Sequence, residues 1–276
     1  PWRPVDDPTW EFRLRKGVRF HDGSELTAED VAFSIERPAK VPASPGPFTV
    51  YTKQVTETVV VDPHTIRLKS AAPYPNMPID ISTIHIVSKK AAASAATDDF
   101  NTGKAAIGAG PYKLVRYVRG DRIELARNDA YWGPRPHWER VTFRLLTSDP
   151  SRVAALLAGD VQAIENIPTA DMTRLAKNAA FGIYRTVSNR IIYLHMDSNR
   201  DSSPFVTDKA GKPMERNPLK DVRVRRAMSK AINRPAIVDR VMEGLAVPAG
   251  QLLPDGMYGT SPALKPEPYD PDGEKK

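Results

Sequence analysis

Polar and apolar positions alternate with a period of two near the start of the chain. Over residues 9–15, Trp10, Phe12 and Leu14 point one way and Glu11, Arg13 and Arg15 the other. That is the pattern of a half-buried strand. Lys16-Gly17 turns the chain, Val18 and Phe20 predict a second strand, and His21-Asp22-Gly23 reads as a loop. The period then changes. Thr27 is placed to cap a helix over residues 28–37, with Glu29 and Asp30 in its first turn, where carboxylates oppose the positive end of the helix dipole. Pro38, Pro42, Pro45 and Pro47 predict an exposed loop. Residues 55–61 and 65–69 flank Asp62-Pro63-His64 as a hairpin. Residues 73–78 read as a loop, Ser88 as the cap of a helix over 89–96, and 98–108 as a flexible polar connection.

The second half mixes both periods. Residues 112–118 and 122–126 predict a hairpin turned by Gly120-Asp121, and 141–146 a further strand. A helix over 151–158 ends at Gly159, a residue suited to the left-handed helix end. Residues 161–164 predict a strand, 170–177 a helix, and 190–196 a strongly apolar strand. After a polar loop over 197–217, Asp221 caps a helix that gathers Val224, Ala227, Met228, Ala231 and Ile232 on one face. Asn233-Arg234-Pro235 starts another, with Ile237, Val238, Val241 and Met242 as its buried face and Gly244 at its end. The layout is mixed α/β. Residues 272–276 look like the first turn of a helix and Pro1 replaces an initiator Met, so the chain reads as a fragment.

Composition narrows the function classes. There is no cysteine, which removes disulfides, thiolate metal sites and cysteine nucleophiles. No apolar run approaches the ~18 residues of a membrane helix. The net charge of +7 raises the question of a nucleic-acid partner, but Lys and Arg mostly alternate with apolar residues or neighbour Asp and Glu, as on a solvated surface.

The candidate chemistry is thin. His21, His64, His85, His137 and His195 contain no i, i+4 pair and no zinc-hydrolase arrangement. His21 and Asp22 read as turn residues that bond the backbone locally. Gly108-Ala109-Gly110-Pro111 cannot cradle phosphate, because Pro111 lacks an N–H and a strand follows rather than a helix. The glycines suit a sharp chain crossing instead. Tyr131, Trp132 and Trp138, with Pro134 and Pro136 between them, predict a rigid packed corner. Arg223, Arg225 and Arg226 fall on the polar side of their helix.

Four blocks carry a resemblance. They are the run Trp10-Glu11-Phe12-Arg13-Leu14-Arg15-Lys16-Gly17-Val18-Arg19-Phe20-His21-Asp22-Gly23 with Leu26-Thr27-Ala28-Glu29-Asp30-Val31; residues 108–114 with Arg127-Asn128 and Tyr131-Trp132-Gly133; residues 156–161; and Asn217-Pro218-Leu219-Lys220-Asp221-Val222-Arg223-Val224-Arg225-Arg226-Ala227 with Ala231-Ile232-Asn233-Arg234. In this order they resemble the bacterial extracellular solute-binding proteins of family 5, which serve dipeptide, oligopeptide and nickel importers. The resemblance implies a two-lobed, periplasmic-binding-protein type II-like fold with an extra subdomain, incomplete at both ends. Residues 1–103 would form the extra subdomain, 104–188 part of the first-lobe core, and 189–276 the hinge strand and the start of the second lobe. It implies a periplasmic monomer, lipid-anchored or free, that delivers a short peptide or other small solute to the permease subunits of an ABC importer in the inner membrane.

A hinge strand lining a cleft suits residues 190–196, where Tyr193 and His195 put polar tips on one face of an apolar run. The candidate solute-binding residues are Asn189, Arg190, Tyr193 and His195, with Tyr74 further out. No cofactor and no nucleic acid is expected. A nickel chelate, a haem-like ligand or an oligosaccharide remains open as cargo. A peptide hydrolase, the competing class, would need a nucleophile or metal constellation, and the sequence offers none.

Overall fold

The computed structural model describes residues 1–42, 44, 46 and 48–273. The expectations for Pro45, Pro47 and the end of the 272–276 segment lie outside the described residues. Two compact units divide the chain, Pro1–Leu146 and Thr147–Lys276.

The first unit is organised around a four-stranded antiparallel sheet. Strands β1 (Trp2–Asp6), β2 (Thr9–Arg13), β3 (Glu57–Asp62) and β4 (Thr65–Lys69) take the order β1-β2-β4-β3. The alternation in β2 is as the sequence predicts: Trp10, Phe12 and Leu14 pack against a core of Ala28, Val31, Ile35, Ile66, Leu68 and Met77. The polar side differs from expectation. Glu11, expected to face solvent, is 3% exposed. The edge strand β1, which the sequence reading missed, sets Arg3 opposite Glu11, and β4 sets Arg67 on its other side. Arg3 Nη2 donates to Glu11 Oε1 at 3.0 Å and Arg67 Nη2 to Oε2 at 2.9 Å. A buried carboxylate must be paired, and here both oxygens are. Val18 and Phe20 are buried but form no strand; one bridge, Arg19 to Glu25, closes a tight loop with Gly23 at φ 86°.

Helix α1 (Ala28–Glu36) begins where Thr27 predicts. The Asp30 carboxylate accepts from Thr27 N at 2.9 Å and, with its other oxygen, from Lys89 N at 2.8 Å. Ser34 Oγ, one turn on, accepts from Val87 N at 3.0 Å. The first-turn carboxylate therefore does more than oppose the dipole: with Ser34 it fastens α1 to the segment that carries Val87 and Lys89. Residues 37–40 add a 3-10 turn that includes Pro38. The short helices α2 (Thr49–Thr52) and α3 (Met77–Ile81) precede α4 (Lys89–Ala92), which Ser88 caps and which stops short of the predicted residue 96. The 98–108 stretch is not a loose connection. Helix α5 (Thr97–Asn101) starts with Asp99 accepting from Ala96 N at 2.9 Å, and Ala105 is buried. A three-stranded antiparallel sheet completes the unit: β5 (Tyr112–Val118), β6 (Arg122–Arg127) and β7 (Arg140–Arg144), in that order.

In the second unit, helices α6 (Asp149–Ala158) and α7 (Thr169–Ala176) enclose Val153, Leu156 and Leu175. Gly159 ends α6 at φ 79°, as its position predicts. The strand expected at 161–164 does not form. Val161 N is bonded to Ala155 O at 3.3 Å, so the chain folds back on α6, and Val161 and Ile164 cover the α6–α7 cluster. The strand expected at 190–196 is also absent, since no described segment offers it a ladder. Helices α8 (Val222–Ala231) and α9 (Arg234–Arg240) start at their predicted caps, with Asp221 accepting from Arg223 N at 2.9 Å and Asn233 from Ala236 N at 3.0 Å. Their apolar faces form but are not buried: Val222, Met228, Ile237 and Val241 are exposed.

Candidate functional site

The predicted site residues fall in both units. Tyr74 belongs to the first. It lines a groove of about 340 Å³ with Pro4, Val5, Trp10, Pro73 and Pro75. Its backbone oxygen accepts from Trp10 Nε1 at 3.1 Å, which pins the Pro73–Pro75 turn to β2. Its hydroxyl donates to Asp80 in α3. That bond, with partial burial and the Asp80 charge, raises the phenol above its ordinary value.

Asn189, Arg190, Tyr193 and His195 belong to the second unit and lie on one extended, exposed segment. Tyr193 is 61% exposed and Ile192 90%. The Tyr193 and His195 rings lie 6.1 Å apart, with planes 49° to each other, so the i, i+2 spacing does put both on one side without a sheet. Arg190 N donates to Ser188 Oγ at 3.2 Å. The segment offers an aromatic face, an imidazole, a guanidinium and an amide.

The end of this segment is anchored by residues that the sequence reading did not single out. Asp197 accepts from Arg200 Nη1 at 2.8 Å and Ser203 Oγ at 2.7 Å, and these bonds hold its carboxyl well below the usual range. Asn217, 2% exposed, donates from Nδ2 to the carbonyls of Asp197 at 2.7 Å and Arg200 at 2.9 Å, and its Oδ1 accepts from Leu219 N. The 197–217 loop is therefore a knot closed on buried polar groups. No local pattern signals it, because the bond that closes it joins residues 20 positions apart. Beside the knot, Asp201, Arg216, Lys220, Asp221 and Arg223 line an open hollow of about 700 Å³.

The motif residues of the first block turn out to hold structure. His21 Nε2 lies 3.1 Å from Gly110 O, and His21 N donates to Gly108 O at 2.8 Å. Asn128 Nδ2 donates to the same Gly110 oxygen at 3.1 Å. His21 does bond backbone, as expected of a turn residue, but across 89 positions rather than locally. The aromatic corner is looser than predicted. Arg15 stacks over Trp132 at 4.7 Å, but Trp138 is 65% exposed. Among the described residues no group of three or more His, Asp or Glu side chains could hold a metal ion, and no helix is long and apolar enough to cross a membrane.

The sequence profile of the bacterial extracellular solute-binding proteins, family 5 Middle, matches residues 1–276. The chain is 28% identical over 294 aligned residues to the dipeptide-binding protein of Escherichia coli, covering 98% of this chain and 51% of that protein. It is 29% identical to the glutathione-binding protein GsiB of the same organism, covering 96% of this chain and 48% of that one. The fold matches NikA of Brucella suis, solved in complex with Fe(III)-EDTA, with a TM-score of 0.77 at 23% identity, over 99% of this chain and 53% of that structure. The chain spans about half the length of the curated relatives it matches. This chain belongs to the family 5 bacterial extracellular solute-binding proteins.

Proposed function

We propose that the protein carrying this chain is the solute receptor of an ABC importer, which captures di- and oligopeptides outside the inner membrane and delivers them to the permease. The observation that carries this reading is the family match along the whole chain, with a dipeptide-binding and a glutathione-binding protein among its relatives. Dipeptides and glutathione are both short peptides, so the peptide class is favoured over a metal chelate, a haem-like ligand or an oligosaccharide. The receptor is periplasmic and monomeric, it works without a cofactor, and it leaves its cargo chemically unchanged.

On this reading residues 1–103 are the extra subdomain, 104–188 part of the first-lobe core, and 189–276 the hinge and start of the second lobe. Asn189, Arg190, Tyr193 and His195 contact solute, with Tyr74 at the periphery. Arg190 suits a peptide carboxylate, because its planar guanidinium can bond two oxygens at once. Asn189 offers both a donor and an acceptor to a peptide bond. The rings of Tyr193 and His195 cover apolar side-chain surface. The experiment is to incubate the protein with a mixed peptide pool, remove unbound material and identify what is retained by mass spectrometry. Retention of intact di- and tripeptides is the expected result. Cleaved peptides, or retention of none, would sink the reading.

A further inference from the structure

The β5–β6–β7 sheet has two unlike faces. Its register places Lys113 beside Ala126 and Arg140, Arg116 beside Glu124 and Thr142, and Val118 beside Arg122 and Arg144. Directly opposed residues share a face. One face therefore carries Lys113, Arg116, Arg122, Arg140 and Arg144 against a single carboxylate, Glu124. The other carries Leu114, Ile123, Leu125, Val141 and Phe143. The register shift between Leu114 and Arg116 sets this pattern, since the extra residue, Val115, returns Arg116 to the cationic side. Arg122 is taken up by Glu124 and Asp121. Lys113, Arg116, Arg140 and Arg144 have no acidic partner among the described residues, and the three arginines are exposed. The charge that looked dispersed along the sequence is gathered here by strand alternation.

We infer that this face is a docking surface for an acidic phospholipid bilayer. Charge complementarity names the partner class, an anionic surface. The rest of the face decides which one. Beyond the charged groups it carries Val118, Ala126, Thr142 and, at the bulge, the exposed Val115, so it lacks the large aromatic anchor that centres a protein–protein interface. It has no ring on which single-stranded bases could stack. Its cations sit on successive rows about 7 Å apart along strands about 5 Å apart. Such a flat grid meets a plane of headgroups without needing a shaped partner. Four free cations suffice for weak, reversible, salt-sensitive attachment within a Debye length of ~10 Å at 0.1 M salt. Attachment of this kind would hold a receptor near its membrane without immobilising it.

The test is co-sedimentation of the protein with vesicles of phosphatidylcholine alone or mixed with phosphatidylglycerol, at low and high salt. The variants are K113Q/R116Q/R140Q/R144Q and, as a control with the same net charge, K53Q/K177Q/K209Q/K265Q, both checked for fold by circular dichroism. The expected result is binding only to the acidic vesicles at low salt. It weakens by about fivefold per side chain removed from the sheet face and is unchanged in the control. Equal losses in both variants, no dependence on the acidic lipid, or tighter binding to duplex DNA than to vesicles at the same salt would each overturn the inference. None of these outcomes bears on solute capture, so the receptor reading stands or falls separately.

Discussion

The Nε2 of His21 lies 3.1 Å from the carbonyl oxygen of Gly110, and that oxygen also accepts from Asn128 Nδ2 at 3.1 Å. His21 Nδ1 is buried with no partner, which assigns the proton to Nε2. Three segments far apart in sequence thus meet on one backbone oxygen. His21→Ala and Asn128→Ala are each expected to destabilise the first unit by about 0.5–1.5 kcal/mol, because each removes one of two bonds to the same half-buried acceptor. The double variant is expected to lose more than the sum, since either donor alone still satisfies Gly110. Thermal melts of the four proteins measure the coupling. Strict additivity would show that the two bonds are independent.

Glu11 is expected to be sensitive in a way its position in the sequence hides. Its bonds to Arg67 and Arg3 lower its carboxyl below the usual value, with the Arg67 bond the largest cause. A depressed folded value means stability that is complete above about pH 4.3, the unfolded value, and is lost as pH falls below it. Glu11→Gln should lower the melting temperature at neutral pH and converge on the parent at low pH. A constant difference at every pH would contradict the ion-pair account.

Asp221 extends the same argument to the second unit. Its bonds to Arg223, with the charges of Arg223 and Arg216, bring its carboxyl to about 2. The stabilisation it gives α8 is therefore present above about pH 3.9 and is lost as pH falls toward 2. Asp221→Asn keeps a good cap but removes the charge. Acid titration followed by circular dichroism should show a smaller loss of helix between about pH 4 and 2 in this variant than in the parent. An identical acid transition would remove Asp221 from the account.

Leu175, 1% exposed, closes the small α6–α7 cluster. Leu175→Ala is expected to cost about 2–5 kcal/mol, and denaturant melts would show it. A cost well under 1 kcal/mol would mean that the cluster can collapse around the gap.

Caps and turns were legible in the sequence, because they depend on neighbours only a few residues away. Thr27, Ser88, Gly159, Asp221 and Asn233 all stand where helices begin or end. Strands at 161–164 and 190–196 were misread for the opposite reason. Apolar β-branched runs have strand character, but a strand exists only where a partner supplies a ladder. Val161 is instead tied to the end of α6. The burial of Glu11 was hidden because alternation records which side a residue faces, not what the neighbouring strands place opposite it. The choice of Tyr193 and His195 as a pair rested on i, i+2 spacing, and their rings do share a side. The anchoring of that segment by Asp197 and Asn217 depends on contacts 20 positions apart, which local pattern does not reveal.

The most direct test of the receptor account is calorimetric titration of dipeptides and glutathione into the protein carrying this chain. The parent is compared with Arg190→Ala and Tyr193→Ala, and the peptides are recovered afterwards. The account predicts saturable binding with one solute per protein and intact peptide on recovery. It predicts affinity about tenfold weaker in each variant, equivalent to ~1.4 kcal/mol per lost contact. Absence of heat with every peptide, or hydrolysed peptide on recovery, would contradict it.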